Sequence, residues 1–280
     1  MTTARLTDLL SDAREGSVAV GAFNVISIEH AEALVAGAEQ AQAPVVLQLS
    51  ENAIRYHGRL EPIALATLSI ARSASVPTVV HLDHITDTAL VDEGIELGVG
   101  SVMFDGSVLP YEENVAATAA VVRQCHEHGI DVEAELGEVG GKDGVHAPGA
   151  RTEPAEAVSF VSATGVDALA VAVGSSHAMT ERTSKLDLDL IGALAAAVPV
   201  PLVLHGSSGV PDDEILRGVR AGMTKINIAT HLNKVFTDRV RAALTDERLV
   251  DTRKYLGPAR DAVAAEVARL LGLLRTSPIN

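Results

Sequence analysis

Short apolar runs rich in β-branched residues alternate along the chain with longer Ala-, Leu- and Glu-rich segments, the pattern of repeated βα units. The short runs predict eight strands: Val18–Val25, Pro44–Ser50, Thr78–Asp83, Ser101–Gly106, Asp131–Gly137, Ala168–Gly174, Pro201–Gly206 and Thr224–Thr230. Helices are expected between them at His30–Ala41, Leu60–Ser75, Ala89–Leu97, Glu112–His128, Pro154–Ala163, Leu186–Ala197, Asp212–Val219 and Leu232–Leu244. Pro154 and Pro211 stand where a first helical turn tolerates proline, and Gly98 and Gly129 stand where a helix would end. Eight such units over about 250 residues is the expected size of an α/β fold of the (β/α)8 TIM-barrel type. A doubly wound sheet shares the alternation but usually has fewer strands and a glycine-rich turn after the first. Here strand one ends in Phe23-Asn24-Val25 without that fingerprint. No Pro/Ser linker or charge block divides residues 1–280, so a single domain is expected. Two segments lie outside the units. Glu138–Arg151 is a long Gly-rich loop of the kind that forms lids, and Asp251–Leu274 reads as an extra C-terminal amphipathic helix.

Composition narrows the class. With 47% hydrophobic residues the chain is neither disordered nor collagen-like. Mean hydropathy is positive at +0.23, yet no apolar run reaches the roughly 18–20 residues of a spanning helix, so a soluble protein without a membrane partner is expected. Runs such as Val45–Leu49 and Ala168–Val173 suit buried strands. The 22 Lys+Arg against 37 Asp+Glu leave a net charge of −15, which argues against a nucleic-acid partner, because counterion release needs a basic surface. An anionic substrate would need local positive charge. Cys125 is the only cysteine, and Met1–Leu10 carries no secretory pattern, so a reducing cytoplasm is the expected compartment. Aromatic residues are 2% with no Trp, which removes the usual stacking platforms for single-stranded nucleic acid or carbohydrate.

In a barrel the chemistry gathers where strands end at their C-terminal side. Those ends carry Asn24; Ser50 and Glu51; His81, Asp83 and His84; Asp105; Glu133 and Glu135; Ser175, Ser176 and His177; His205, Gly206, Ser207 and Ser208; and Asn227 and Thr230. His84, His177 and His205 lie just past three different strands. Three imidazoles leave a fourth position of a divalent ion open, as catalytic zinc requires. His30, His57, His126, His128 and His231 fall on or beside helices, where a solvated surface role is expected, and His146 sits in the lid-like loop. Asp83 is placed for acid/base work beside a metal-bound substrate, or for orienting an imidazole. Glu135 and Asp105 offer further carboxylates, for proton transfer or for a second cation. The His205-Gly-Ser-Ser-Gly and Asn227-Ile-Ala-Thr segments follow strands seven and eight, where barrels commonly build phosphate sites.

Together these residues resemble the class II, metal-dependent ketose-bisphosphate aldolases, which cleave fructose- or tagatose-1,6-bisphosphate. The matching motifs are VGAFNV (20–25), HLDH (81–84), VEAELGEVGG (132–141), GSSH (174–177), LHGSSGV (204–210), KINIAT (225–230) and RKYLGPARDA (253–262), which span almost the whole chain. The resemblance implies a (β/α)8 barrel, catalytic Zn2+ on His84, His177 and His205, and Asp83 exchanging a proton with the C4 oxygen. It assigns Glu135 to proton handling at C3 or to a second metal position with Asp105, where a second divalent or a monovalent cation would sit. It assigns Gly206, Ser207, Ser208, Asn227, Ile228, Ala229 and Thr230 to dihydroxyacetone phosphate, Asn24 and Ser50 to the sugar chain, Ala178 to backbone contact and Arg260 to the distal phosphate. A homodimer or homotetramer is implied as well.

The chain departs from the family after the second histidine. His177-Ala-Met-Thr-Glu-Arg replaces the HGxYK style, putting Thr180 and Glu181 where tyrosine and lysine are expected and leaving Arg182 as the nearby cation. Ala229 replaces the aspartate of NIDT-type members, as in tagatose-type or shorter relatives. A tagatose bisphosphate or another sugar phosphate is therefore the runner-up substrate. A zinc hydrolase, or a sugar-phosphate binder without catalysis, are the readings from other classes.

Overall fold

The computed structural model describes residues 4–136, 151–177 and 179–276. Most of the loop expected as a lid, with His146, lies outside the described residues, as does Ala178. Eight strands, β1 (Val20–Asn24), β2 (Val45–Ser50), β3 (Thr78–Ile85), β4 (Ser101–Phe104), β5 (Asp131–Glu135), β6 (Ala168–Ala170), β7 (Leu202–Leu204) and β8 (Met223–Ile228), close into one barrel in sequence order. Every neighbouring pair is parallel, including β1 with β8. Around the barrel, among the described residues, run α1 (Leu6–Glu15), α2 (Ile28–Ala41), α3 (Glu51–His57), α4 (Glu61–Ser73), α5 (Thr88–Leu97), α6 (Tyr111–Glu127), α7 (Pro154–Thr164), α8 (Leu188–Ala197), α9 (Asp212–Ala221), α10 (Thr230–Ala243) and α11 (Arg253–Leu274).

The eight strands expected from the hydrophobic pattern are all present, with β6 and β7 cut to three residues each. Two helices were not expected. α1 lies beneath the barrel, where Leu6, Leu9, Leu10 and Ala13 meet Val20, Ala22, Val46, Val79, Ala168, Ala170 and Val203. It is tied down by Arg5, which pairs with Asp131, and by Thr7, whose backbone N–H donates to the same carboxylate at 2.9 Å. α3 is a seven-residue helix directly after β2, started by Ser50, whose Oγ accepts the Ala53 N–H at 3.2 Å.

The larger apolar cluster fills the layer between the strands and the helices, with Phe23 and Phe160 its largest fully buried apolar side chains. α11 packs on α2 and α10, burying Val263, Val267, Leu270, Leu271 and Leu274. Gly37 permits the close approach of α2, because a Cβ there would stand 2.5 Å from the Ala264 carbonyl oxygen. The bottom of the barrel is thus apolar and plugged, while Gln48, His81, Asp83, Glu133 and Lys225 are polar, buried residues of its strands. That division puts the chemistry at the upper end.

Candidate active site

Side chains alternate between the two faces of a regular strand, so His81 and Asp83 share the barrel interior and His84 would face away. The structure breaks the alternation at this point. The register between β3 and β4 shifts between Leu82 and Ile85, and His84 takes a left-handed backbone conformation, with φ of 51°. Such a conformation costs a non-glycine residue about 1–3 kcal/mol, and here it turns the ring toward the mouth. His84 then lies 4.7 Å from the ring of His205 and 5.2 Å from that of His177, measured between centroids.

His84, His177, His205 and Glu135 each bring one ligand atom to within 4.8 Å of the others. Three imidazoles and a carboxylate are an ordinary donor set for zinc. The partners behind the rings agree with that use. Asp105 Oδ2 is 2.6 Å from His84 Nδ1, and Glu133 Oε1 is 3.0 Å from His205 Nε2, so a carboxylate orients each ring. On the other edge of His205, Nδ1 is 2.9 Å from Glu135 Oε2. Burial opposes a charge on His205, yet the flanking Glu133 and Glu135 hold its pKa up to about 9. The two carboxylates that flank the ring supply negative charge that suits a metal cation as well.

Glu133 is supported from below by Lys225, whose Nζ donates to Oε2 at 2.7 Å, both side chains being fully buried. Burial pushes Glu133 toward neutrality, and Lys225 and His205 outweigh it, holding its pKa well below the carboxylate range. His81, in the same layer, is driven down to about 3, first by burial and then by Lys225. It is a neutral member of the interior, with Nδ1 2.7 Å from Ser101 Oγ. The supporting Glu133 and Lys225 were not singled out as a pair from sequence. Their signal is the i, i+2 spacing of Glu133 and Glu135, which puts both on the interior face of β5.

Asp83 sits at the base of a cavity of ≈ 400 Å³, held by Asn24 Nδ2 at 3.0 Å and Gln48 Nε2 at 2.9 Å. Burial raises its pKa, and the surrounding His84, His205, His81 and Lys225 reverse this to leave it below the ordinary value. It is therefore a carboxylate. The same cavity is lined by Ser50, His84, His177, Gly206, Ser208, Asn227, Ala229 and Thr230 and, from α3 and the end of β3, by Glu51, Asn52, Arg55 and Thr86. Of these four, Glu51 was among the polar strand ends read from the sequence, whereas Asn52, Arg55 and Thr86 were not singled out.

Residues 4–277 match the model of a family described as fructose-bisphosphate aldolase class-II. The chain belongs to the class II fructose-bisphosphate aldolase family. It is 38% identical over 272 residues to proteins named fructose-bisphosphate aldolase in Geobacillus stearothermophilus and in Staphylococcus aureus, covering 95% of each chain. Its fold superposes on the crystal structure of the YdjI aldolase from Escherichia coli K12 with a TM-score of 0.84, at 29% identity and with 98% of each chain covered. The family makes the chain an aldolase, a lyase acting on phosphorylated sugars, and the histidine and glutamate cluster fits its metal dependence.

Several residues expected at an aldolase site stand elsewhere. Asp105 is outside the four-residue donor group. Its two oxygens engage His84 and Ser107, the latter through Oγ at 2.6 Å, so it orients the His84 ring. Ser207 and Ile228 are buried beside the cavity lining, Ser207 donating to the Leu204 carbonyl at 3.1 Å. Arg260 lies on α11 away from the cavity, paired with Glu32 at 2.9 Å and Asp261 at 3.3 Å, because its helix packs on α2. Arg182 donates to the Val210 carbonyl and pairs with Asp212 at 2.6 Å. It faces a neighbouring cavity of ≈ 290 Å³ that shares Ser208 and Thr230 with the first and also holds Lys234. His30, expected at the surface, is buried and stacks on Phe236 at 4.8 Å.

Proposed function

We propose that this aldolase is zinc-dependent and cleaves and forms a ketose 1,6-bisphosphate, most simply fructose 1,6-bisphosphate, giving dihydroxyacetone phosphate and an aldehyde phosphate. The reading rests most heavily on one juxtaposition: a buried, ionised Asp83 held at the floor of the cavity next to the His84, His177 and His205 donor set. Those three histidines would hold the ion. When bound, it supplies a Lewis acid that polarises the substrate ketone and spreads the negative charge of the three-carbon fragment.

Asp83 takes the proton of the C4 hydroxyl. The C4 oxygen becomes the aldehyde carbonyl, the C3–C4 bond breaks, and its electron pair passes into the C2–C3 fragment. Asn24 and Gln48 fix the carboxylate so that it reaches this proton without reorganising. Glu135, among the ligand atoms, is assigned to holding the ion, and Glu135→Gln tests this. Loss of zinc supports that role, whereas slowed exchange of the C3 proton of dihydroxyacetone phosphate with zinc retained assigns Glu135 to proton transfer. Gly206 and Ser208 in the loop after β7, with Ala229 and Thr230 at the N-terminus of α10, suit the phosphate of the three-carbon fragment through amides and hydroxyls. Asn24 and Ser50 face the carbon chain.

The test is cleavage of fructose and tagatose 1,6-bisphosphates by the zinc-restored protein, with fructose preferred. Preference for tagatose moves the assignment to the runner-up, and inactivity on both rejects a bisphosphate substrate. A homodimer or homotetramer in the cytoplasm completes the proposal, the former checked by light scattering. Among the described residues no helix is long and apolar enough to cross a membrane.

A further inference from the structure

Three polar side chains inside the barrel leave hydrogen-bonding capacity unused. Lys225 is fully buried, and its ammonium carries three N–H donors. Among the described residues its one hydrogen bond goes to Glu133 Oε2 at 2.7 Å, so two donors remain. Gln48 and His81 are also fully buried, and neither Gln48 Oε1 nor His81 Nε2 has a partner. Unpaired polar atoms are rare and costly in a protein interior, and ordered water pairs with them where no side chain reaches. The three residues lie together. Gln48 and His81 are register partners on β2 and β3, so their side chains stand side by side on the interior face, with backbones about 4.8 Å apart. Lys225 is close enough that its charge is the next cause, after burial, of the His81 pKa of about 3, which leaves the ring neutral. The other ends of both side chains are already fixed. His81 Nδ1 is 2.7 Å from Ser101 Oγ, and Gln48 Nε2 donates to Asp83 Oδ1 at 2.9 Å. A carboxylate only accepts, so this last bond decides which end of the Gln48 amide is left facing the interior.

We propose that a water molecule is bound inside the barrel at this point, accepting an N–H of Lys225 and donating to Gln48 Oε1, with His81 Nε2 as its third partner, and that it locks the Gln48 amide that holds Asp83. Three hydrogen bonds is the usual number for a buried water. The same water uses a second donor of Lys225 and pairs both unpartnered atoms. Lys225 and His81 are then positioning residues for Asp83, acting at one remove. A swing of the Gln48 amide away from Asp83 would break its bond to the water as well, so the carboxylate stays aimed at the cavity. The consequence for catalysis rests on the role proposed above for Asp83, whereas the water itself does not.

Crystal structures of zinc-loaded wild type, His81→Gln and His81→Leu test the site, and their kinetics on fructose 1,6-bisphosphate test its role. Density for a water within hydrogen-bonding reach of Lys225 Nζ, Gln48 Oε1 and His81 Nε2 is expected in the wild type. It should persist in His81→Gln, whose amide replaces the ring nitrogen, and be lost in His81→Leu, which offers no polar atom. In His81→Leu kcat is expected to fall about 10–100-fold with KM and zinc content unchanged, because a misaimed Asp83 slows the chemistry and not the binding. His81→Gln should recover most of that loss. A wild-type interior without the water overturns the proposal, whether or not His81→Leu folds. So does a His81→Leu variant that keeps the water, or that loses it with full kcat, and so does an equal fall in a His81→Gln variant that retains it. Failure of the Asp83 role looks different, since Asp83→Ala then keeps its turnover. In that case the density still decides the water, and an unmoved Gln48 amide and Asp83 carboxylate in His81→Leu overturn the positioning.

Discussion

Two buried carboxylates divide the work at the level of single side chains: Asp83 faces the cavity, and Glu133 stands behind His205. Asp83→Ala removes the proposed proton acceptor while leaving the histidines in place. Turnover is expected to fall by about 10²–10⁴, with zinc content by metal analysis unchanged. Glu133→Gln keeps the shape but weakens the orienting contact to His205, and should lower metal affinity about 10–100-fold in a chelator competition. The histidines of the candidate donor group and Asp83 were legible from sequence because polar residues are uncommon at the ends of otherwise apolar strands. Their supports were not. Lys225 reads as an ordinary residue at the start of a strand, and its contact with Glu133 joins residues 92 positions apart. Arg260, which a motif associates with the distal phosphate, lies on α11 beside Glu32 within the single chain.

Single elements show which periodicities a chain can advertise. α1 carries its apolar residues at positions 6, 9, 10 and 13, a helical spacing that was available in the sequence, but nothing in that spacing says it covers the floor of a barrel. Leu10 is fully buried there, and Leu10→Ala should destabilise the protein by about 2–5 kcal/mol, measured by urea unfolding. Activity below the unfolding transition should be retained, because the plug and the site lie at opposite ends. α3 is too short to show a period, and only the Ser50 cap marks its start. It nonetheless brings Glu51, Asn52 and Arg55 to the cavity. Short β6 and β7 are a consequence of their context: three residues of ladder suffice where the chain must turn to deliver His177 and His205.

For the whole molecule, the donor set assembled from β3 and β5 and the segments after β6 and β7 would tie half the barrel to one ion, so metal should contribute to stability as well as to activity. Removal of zinc by a chelator is expected to abolish cleavage and lower Tm, and zinc at 100 times its Kd should restore about 2.7 kcal/mol, read by thermal unfolding in the two states. The net charge of −15 predicts no retardation of DNA at physiological salt, checked by gel shift. What the amino-acid sequence determined by itself was the eightfold alternation, hence the barrel, and the polar strand ends, hence most residues of the candidate site. Both are local signals, written in periods of a few residues. Only the tertiary structure decided where His84 points, which cation lines the cavity and what holds His205, because a backbone turn at a register shift and contacts between distant strands arise from barrel closure and packing, which no local period encodes.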